Sequence, residues 1–246
     1  MSFGDTTPVS KALAQYYTDA GLPPAVWHLG PEHPALEQCV IDRLTRMTGK
    51  RVLEIGVQAG GCGVPVIDAL HREPGFSYTG VDNHSYSNAV PFSVIDAFLR
   101  ARGVATGVAF VESDGAAFLA SAAPGSFDVI LLDHYKPLYP GSLLEICVRR
   151  LLAPGGLVLC HDVLGNAADV WPTCVAVGRM FGLDASVDAG VPEGIGELRL
   201  AGAFRPVGRA RVAAWRIRVA TAWIVHRTYR DTRAWVGRML GLAGLR

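Results

Sequence analysis

The segment Phe127–Lys136 reads FDVILLDHYK and carries the clearest structural signal in the chain. Its apolar run, Val129–Leu132, is short, partly β-branched and bounded by a glycine on one side and a proline on the other. Such a run is typical of a strand buried on both faces of a parallel sheet. Ligands bind at the carboxyl edge of such sheets, so Asp133, His134 and Lys136 are predicted to lie at a functional edge. A solvated turn is the alternative interpretation of these three residues.

Strand and helix patterns alternate five times along the chain, which predicts a doubly wound, mostly parallel sheet with helices on both faces. Two further strands separated by a Pro/Gly turn predict an antiparallel pair and hence an antiparallel final strand. The sheet is expected to have seven strands: the apolar run of the segment 127–136, and six others at residues 51–55, 77–81, 108–111, 157–160, 185–189 and 195–200. The predicted helices between them end near residues 72, 102, 121, 152 and 181.

Each of the five parallel strands ends in a polar or glycine feature, and all of these ends fall on one edge of the sheet. They are Glu54 with Gly56, Asp82, Asp114, Asp133, and His161 with Asp162. The glycine loop after the first strand lets the backbone approach a ligand closely and directs a helix N-terminus at it. Asp82 lies where an acid would bind ribose hydroxyls. The dinucleotide fingerprint G-x-G-x-x-G fails, because Gln58 stands at its second glycine.

Four segments, VLEIGVQAGG, GVD, FDVILLDHYK and LLAPGGLVLCHD, resemble the class I S-adenosylmethionine-dependent methyltransferases. Within that class they are similar to the metal-dependent O-methyltransferases of the catechol O-methyltransferase type and to the related sugar O-methyltransferases. The resemblance spans roughly residues 34–200. It implies S-adenosylmethionine as cofactor and a hydroxyl of a sugar, phenol or natural product as acceptor. The cofactor-binding residues it implies are Glu54, Gly56, Gly60, Asp82, Asp114 and Asp133.

The same resemblance implies a divalent metal held by Asp133, His161 and Asp162, with Lys136 as general base and His134 beside it. A cation chelated by two vicinal oxygens lowers their pKa, and its field would also depress the pKa of a neighbouring lysine. Carboxylates suit Mg²⁺, whereas an imidazole ligand favours Mn, Fe, Ni or Zn. The catechol enzymes have Asp-Asn at the positions of His161-Asp162, and Trp at the position of Tyr135.

The net charge of +1 conceals a strong asymmetry along the chain. Residues 205–246 hold ten arginines and one acid, a charge of +9, while residues 1–204 hold 13 Lys/Arg and 21 Asp/Glu, a charge of −8. We therefore expect an N-terminal cap segment (1–33), a methyltransferase domain (34–204) and a basic helical tail rich in arginine and tryptophan (205–246).

The tail allows several hypotheses about partners. Arginine with tryptophan is typical of a membrane interface, which predicts peripheral membrane contact through residues 206–240. Packing on the acidic domain, or on a second subunit in a homodimer, is the alternative. No nucleic acid is expected, because nothing outside the tail supports one.

The rest of the sequence predicts a cytoplasmic protein, peripheral at the inner face of the membrane if the tail binds there. No apolar run reaches the 18 residues of a membrane span, no secretory signal is visible, and the five cysteines lack C-x-x-C spacing. Two other functions compete with methyl transfer: an NAD(P)-dependent oxidoreductase, and a non-catalytic S-adenosylmethionine-binding or membrane-adaptor protein. The failed dinucleotide fingerprint argues against the first, and the presence of Asp133, Lys136 and Asp162 together argues against the second.

Overall fold

A computed structural model of the chain describes residues 8–22, 33–85, 90–104, 106–191 and 193–242, without the side chains of 8, 33–34, 226 and 229–242. Of the predicted cap segment, residues 1–7 and 23–32 lie outside this description. The chain forms two compact units, Met1–Arg205 and Pro206–Arg246.

The first unit is built on one seven-stranded sheet with the strand order β3-β2-β1-β4-β5-β7-β6. Strands β1 to β5 pair in parallel, and β7 runs antiparallel to both of its neighbours. This confirms the predicted doubly wound sheet with an antiparallel final strand. The strands are β1 Lys50–Ile55, β2 Phe76–Asp82, β3 Val108–Glu112, β4 Phe127–Leu132, β5 Leu152–His161, β6 Leu183–Asp188 and β7 Ile195–Leu200.

Helices cover the sheet in two groups. The first group, in which α3 contacts α1, α2 and α4, comprises α1 Pro8–Asp19, α2 His33–Thr45, α3 Gly63–Leu70 and α4 Phe92–Ala101. The second group, in which α6 contacts α5 and α7, comprises α5 Gly115–Ser121, α6 Tyr139–Arg149 and α7 Trp171–Phe181. A short 3₁₀ turn, Lys136–Leu138, leads from β4 into α6.

Strand β4 lies at the centre of the sheet, between β1 and β5, and all six of its residues are buried. Val129 and Leu131 pack into the same core cluster as buried residues of α1 to α4. Because side chains alternate along a strand, Ile130 and Leu132 point to the other face. The central position explains why β4 reads as a continuous apolar run, and it places Asp133 in the middle of the carboxyl edge.

Strand β5 is longer than the sequence predicts. The sequence predicts a strand over residues 157–160, but β5 begins at Leu152 and runs through residues 154–156, with Gly155 at φ +80° and a shift of register between Phe127 and Val129 of β4. The three residues 154–156 therefore form an irregularity within a long strand. After β5, helix α7 begins at Trp171. The backbone carbonyl of Asp162 accepts hydrogen bonds from the amides of Gly165 and Ala167, which holds the intervening residues in turns.

The second unit contains the 34-residue helix α8, Arg209–Leu242. Within the described residues, no helix is both long enough and apolar enough to cross a membrane.

Candidate active site

The glycine loop after β1 lies directly against the end of β4. Gly56 has φ +99°, and a Cβ added to it would stand 2.6 Å from the backbone of Asp133 and from the amide nitrogen of His134. Gly60 has φ +75°, and its Cβ would meet the Val64 side chain at 2.9 Å. Only glycine combines a left-handed φ with the lack of a side chain, so Gly56 lets the loop approach the charged end of β4 and Gly60 lets it pack against α3.

Two side chains from distant parts of the chain hold this loop. Asp82, at the end of β2, accepts hydrogen bonds from the amide of Gln58 (2.9 Å) and from the amide of His84 (2.8 Å). Gln58 adopts a left-handed conformation, φ +49°, which this hydrogen bond supports. The Tyr17 hydroxyl of α1 donates to the carbonyl of Ala59 at 2.7 Å. Asp82 and Tyr17 therefore both hold the backbone of the loop, the first through the amide of Gln58 and the second through the carbonyl of Ala59.

Glu54 lies in β1 just before the loop, and its side chain points into the interior of the first unit. Its carboxyl group is buried and accepts a short hydrogen bond from the hydroxyl of Tyr78. Burial raises the pKa of Glu54 to about 8. A Cβ at Gly63 would collide with both of these groups, so the first turn of α3 closes over them. Glu54 thus contributes to the support of the loop, with its carboxyl group turned to Tyr78.

Two other predicted site residues make structural contacts at the edge. Asp114 is the N-cap of α5, and its Oδ1 accepts from the amides of Ala116 (2.9 Å) and Ala117 (3.1 Å). His134 places its Nε2 3.1 Å from the hydroxyl of Ser142 in α6 and its ring edge-on to Tyr139. Burial lowers the pKa of His134 to about 4, so this imidazole is neutral near pH 7.

The remaining predicted residues form a compact charged cluster, Asp133, Lys136, His161 and Asp162. Lys136 Nζ lies 2.6 Å from Asp133 Oδ1 and 3.1 Å from Asp162 Oδ2. His161 Nδ1 lies 3.0 Å from Asp133 Oδ1. Adjacent parallel strands β4 and β5 bring these residues together, and Asp162 turns back through a left-handed φ of +64°.

The charges of this cluster stabilise one another. Burial opposes ionisation of Asp133, but the ammonium of Lys136 and the hydrogen bond from His161 outweigh it and hold the Asp133 pKa well below its usual range. Burial also opposes the charge on Lys136, yet the two carboxylates raise its pKa above the ordinary value. These contacts favour the ammonium form of Lys136, and its role as general base stays a prediction.

One nitrogen of His161 lies close to a carboxylate but makes no hydrogen bond within the described residues. Its Nδ1 faces Asp133, so the neutral imidazole carries its proton there and its lone pair on Nε2. Nε2 is buried, lies 3.1 Å from Asp162 Oδ1, and finds no hydrogen-bond partner in the part of the chain that the structure describes. Burial works against the imidazolium form, but the hydrogen bond to Asp133 outweighs it and raises the pKa of His161 above its ordinary value.

As the side chains stand, the predicted metal ligands do not fit a divalent cation. The ammonium of Lys136 lies between the carboxylates of Asp133 and Asp162, where a shared cation would have to be. Within the described ranges, no group of three His, Cys, Asp or Glu side chains converges so as to hold a metal ion. The structure therefore brings Asp133, His161 and Asp162 together as hydrogen-bonding partners, and metal binding stays a prediction.

Sequence reasoning missed the tyrosines that support the site. Tyr17, Tyr78 and Tyr139 are all buried, and each lies beside a predicted site residue or the glycine loop. Tyr139 follows Lys136 by one helical turn, and the Lys136 ammonium lies 5.4 Å from its ring centroid. That spacing is the one signal that was visible in the sequence.

Comparisons with known proteins agree with this architecture. Residues 53–163 match the family model described as a methyltransferase domain, and this span contains the glycine loop, Asp82, Asp114 and the charged cluster. The match covers less than half of the chain, and it falls on the part that holds the candidate site. No curated protein matches the sequence.

Several solved structures share the fold of the first unit. The O-methyltransferase from Bacillus cereus in complex with S-adenosylhomocysteine is 14% identical, with a TM-score of 0.58 over 81% of this chain and 93% of that chain. The methyltransferase PaMTH1 from Podospora anserina, bound to S-adenosylhomocysteine, is 18% identical, with a TM-score of 0.57 over 79% and 88%. TomG from Streptomyces achromogenes, an O-methyltransferase of tomaymycin synthesis in complex with S-adenosylmethionine, is 20% identical, with a TM-score of 0.52 over 80% and 92%. At these identities the likeness establishes the fold.

Proposed function

We propose that the chain is an S-adenosylmethionine-dependent O-methyltransferase that methylates a hydroxyl group of a small molecule. The observation that carries this proposal is the charged cluster at the end of β4 and β5, packed against a glycine loop at the carboxyl edge of a class I sheet. The fold neighbours solved with S-adenosylmethionine or S-adenosylhomocysteine support the choice of cofactor.

The cofactor face consists of the glycine loop and the acids beside it. Backbone at Gly56 and Gly60 can approach a ligand closely, and Asp82 and Asp114 flank the loop along the same edge. The carboxylates of Asp82 and Asp114 keep lone pairs beyond those used by the backbone amides, so they can also accept from ribose or adenine donors. When bound, S-adenosylmethionine supplies a methyl group on a positively charged sulfur.

The acceptor hydroxyl needs alignment with that methyl group and a place for its proton. His161 Nε2 offers a lone pair, and Asp133 orients the ring through Nδ1. If His161 is neutral, the cluster carries a net charge of −1, from two carboxylates and one ammonium. Uptake of one proton at His161 neutralises the cluster, and the Lys136 ammonium can stabilise a developing alkoxide or phenolate.

The test is a transfer assay with isotopically labelled S-adenosylmethionine against pooled sugars and phenols. We expect methyl transfer, and we expect His161→Asn to lower kcat at least about 100-fold, because a positioned base contributes that much. His71→Asn is the matched control, since the hydrogen bonds of His71 within the described residues go to the carbonyls of Ile67 and Asp68 in α3 and to the side chain of Arg72. Equal activity of the two variants would remove His161 from the mechanism.

Calorimetry tests the cofactor separately from the acceptor. S-adenosylhomocysteine should bind, and Asp82→Ala should weaken its binding by roughly 1.5–3 kcal/mol, the scale of a hydrogen bond to a charged group. Tight binding of NAD without binding of S-adenosylhomocysteine would contradict the proposal.

The same assay in EDTA tests the metal. Transfer should persist in the chelator, because the Lys136 ammonium already neutralises the carboxylates that the resemblance assigns to a cation. Loss of activity in EDTA with recovery in Mg²⁺ or Mn²⁺ would show that a cation displaces Lys136, and it would leave methyl transfer itself intact.

A further inference from the structure

Helix α8 differs chemically from the rest of the chain. It contains eight arginines and one acid, Asp231, and it is about 50 Å long at 1.5 Å per residue. Residues 1–204 carry a charge of −8, so an anionic surface would repel that part of the chain and attract this helix. The proposed methyl transfer assigns no role to α8.

The described side chains of α8 leave apolar surface in contact with solvent. None of those at positions 209–225, 227 and 228 is buried. Ile217, Ile224 and Val225 are 69%, 56% and 62% exposed. Ile217 and Ile224 are two turns apart and point within about 20° of each other, so they form one apolar line. Exposed isoleucines on a charged helix need a partner that is both apolar and anionic.

Six of the eight arginines of α8 lie along two opposite sides of this helix. Arg209, Arg216, Arg227 and Arg238 fall close to one line, and Arg211 and Arg218 fall roughly opposite, whereas Arg230 and Arg233 fall between these lines. Over positions 209–228, the large apolar residues other than Val225 occupy the two strips between these lines. One strip holds Ile217 and Ile224, and the other holds Val212, Trp215, Val219 and Trp223.

This distribution suits a helix lying flat in a lipid interface. An apolar strip can enter the boundary between headgroups and acyl chains while arginines on both flanks extend to the phosphates. The Cζ of Arg218 lies 4.9 Å from the ring centroid of Trp215, and the Cζ of Arg227 lies 5.3 Å from the ring centroid of Trp223. A tryptophan ring with a guanidinium over it presents both an apolar and a charged surface. Such amphipathic groups prefer the headgroup level of a bilayer.

We propose that α8 binds an anionic lipid surface, lying parallel to it, and thereby places the methyltransferase domain at a membrane. A nucleic acid would satisfy the arginines but offers no contact for Ile217 and Ile224. A second copy of the chain would satisfy the isoleucines but would bring two helices of the same positive charge together.

The experiment is co-sedimentation of the full chain with vesicles that contain phosphatidylserine, compared with vesicles of phosphatidylcholine alone. Binding should require phosphatidylserine and low salt, because screening removes the attraction. Tryptophan emission should shift to the blue on binding, since Trp215, Trp223 and Trp235 lie in α8. Equal sedimentation with both kinds of vesicle, or with neither, would overturn the proposal.

Paired variants separate charge from apolar insertion. The double variant Arg211→Gln, Arg218→Gln should weaken binding to the phosphatidylserine vesicles roughly 30-fold, because it removes the attraction of two basic side chains to the anionic surface. Arg46→Gln with Arg72→Gln removes the same charge from exposed positions of the first unit and should leave binding unchanged. Ile217→Ser with Ile224→Ser should weaken partition several-fold without altering its dependence on phosphatidylserine.

Two further outcomes would contradict the assignment. One is binding to a short DNA duplex in preference to phosphatidylserine vesicles at the same salt concentration. The other is a dimer, measured by light scattering, that the isoleucine double variant dissociates while vesicles have no effect on the wild-type chain.

Discussion

At the scale of the residue, Gly56 is a position of the site that does not accept a side chain without a shift of the backbone. Its φ of +99° disfavours other residues, and the backbone of Asp133 occupies the space of a Cβ. A larger residue would have to push the loop away from the end of β4 and so separate the cofactor face from the charged cluster.

Gly56→Ala should therefore lower the free energy of unfolding by about 3 kcal/mol or more, since it combines a left-handed φ with a backbone clash. Binding of S-adenosylhomocysteine should weaken in parallel. Chemical denaturation and calorimetry measure the two effects. Gly103→Ala is the control, because Gly103 has a comparable φ of +84° with nothing within 4 Å of its Cβ position. Similar losses in both variants would mean that φ alone, and not the contact with β4, makes Gly56 necessary.

At the scale of the element, strands β1 and β4 are joined near their amino ends by one buried carboxylate. Asp128 is 6% exposed and accepts three hydrogen bonds of 2.9 Å from Arg51, at its backbone N, Nε and Nη2. The carboxyl ends of the same strands carry Gly56 and Asp133. The contact at Asp128 therefore supports the pairing that aligns the two halves of the site.

Asp128→Ala should lower the free energy of unfolding by about 2 kcal/mol, the scale of hydrogen bonds to a buried charged group. The hydrogen bonds from Arg51 outweigh burial and lower the pKa of Asp128 below its usual range. A carboxyl with a depressed folded pKa stabilises the fold above its unfolded pKa, about 3.9, and loses that contribution as pH falls through the folded value. The difference between wild type and variant should thus shrink below about pH 4.

Asp96→Ala is the control for this prediction, since Asp96 pairs with Arg100 on the surface of α4 at 2.7 Å. Exposed pairs of this spacing contribute about 0.3–0.5 kcal/mol. Urea denaturation at several pH values compares the variants. A cost at Asp128 no larger than that at Asp96, or one that is independent of pH, would contradict the structural role assigned to Asp128.

At the scale of the whole molecule, the first unit contains its own core. The buried apolar side chains begin at Leu13 and end at Phe204, and none of the described side chains of α8 is among them. A unit with a complete sheet and a continuous core is expected to fold without the segment that follows it.

Deletion of residues 206–246 should change the free energy of unfolding of the first unit by less than about 1 kcal/mol, because none of the described side chains at positions 206–225, 227 and 228 is buried. Binding of S-adenosylhomocysteine should be unchanged. Thermal unfolding and calorimetry of the truncated chain measure both. Aggregation of the truncated chain, or a clear drop in its melting temperature, would show that α8 contributes to the stability of the first unit.

The sequence by itself determined the sheet and its carboxyl edge. The apolar run before Asp133 predicts a central strand, and the glycines of the loop predict a close approach, because both signals are local and follow from burial and backbone sterics. The positive charge of residues 205–246 is equally readable, since it depends on composition alone.

Only the tertiary structure decided what each polar side chain does at that edge. Tyr17 reaches Ala59 across 42 positions, and Glu54 meets Tyr78 across 24. Lys136 lies between Asp133 and Asp162, and these two carboxylates raise its pKa. Sequence patterns report which face or end of an element a residue occupies. Its partners depend on strand register and rotamers, which are set when distant segments pack together.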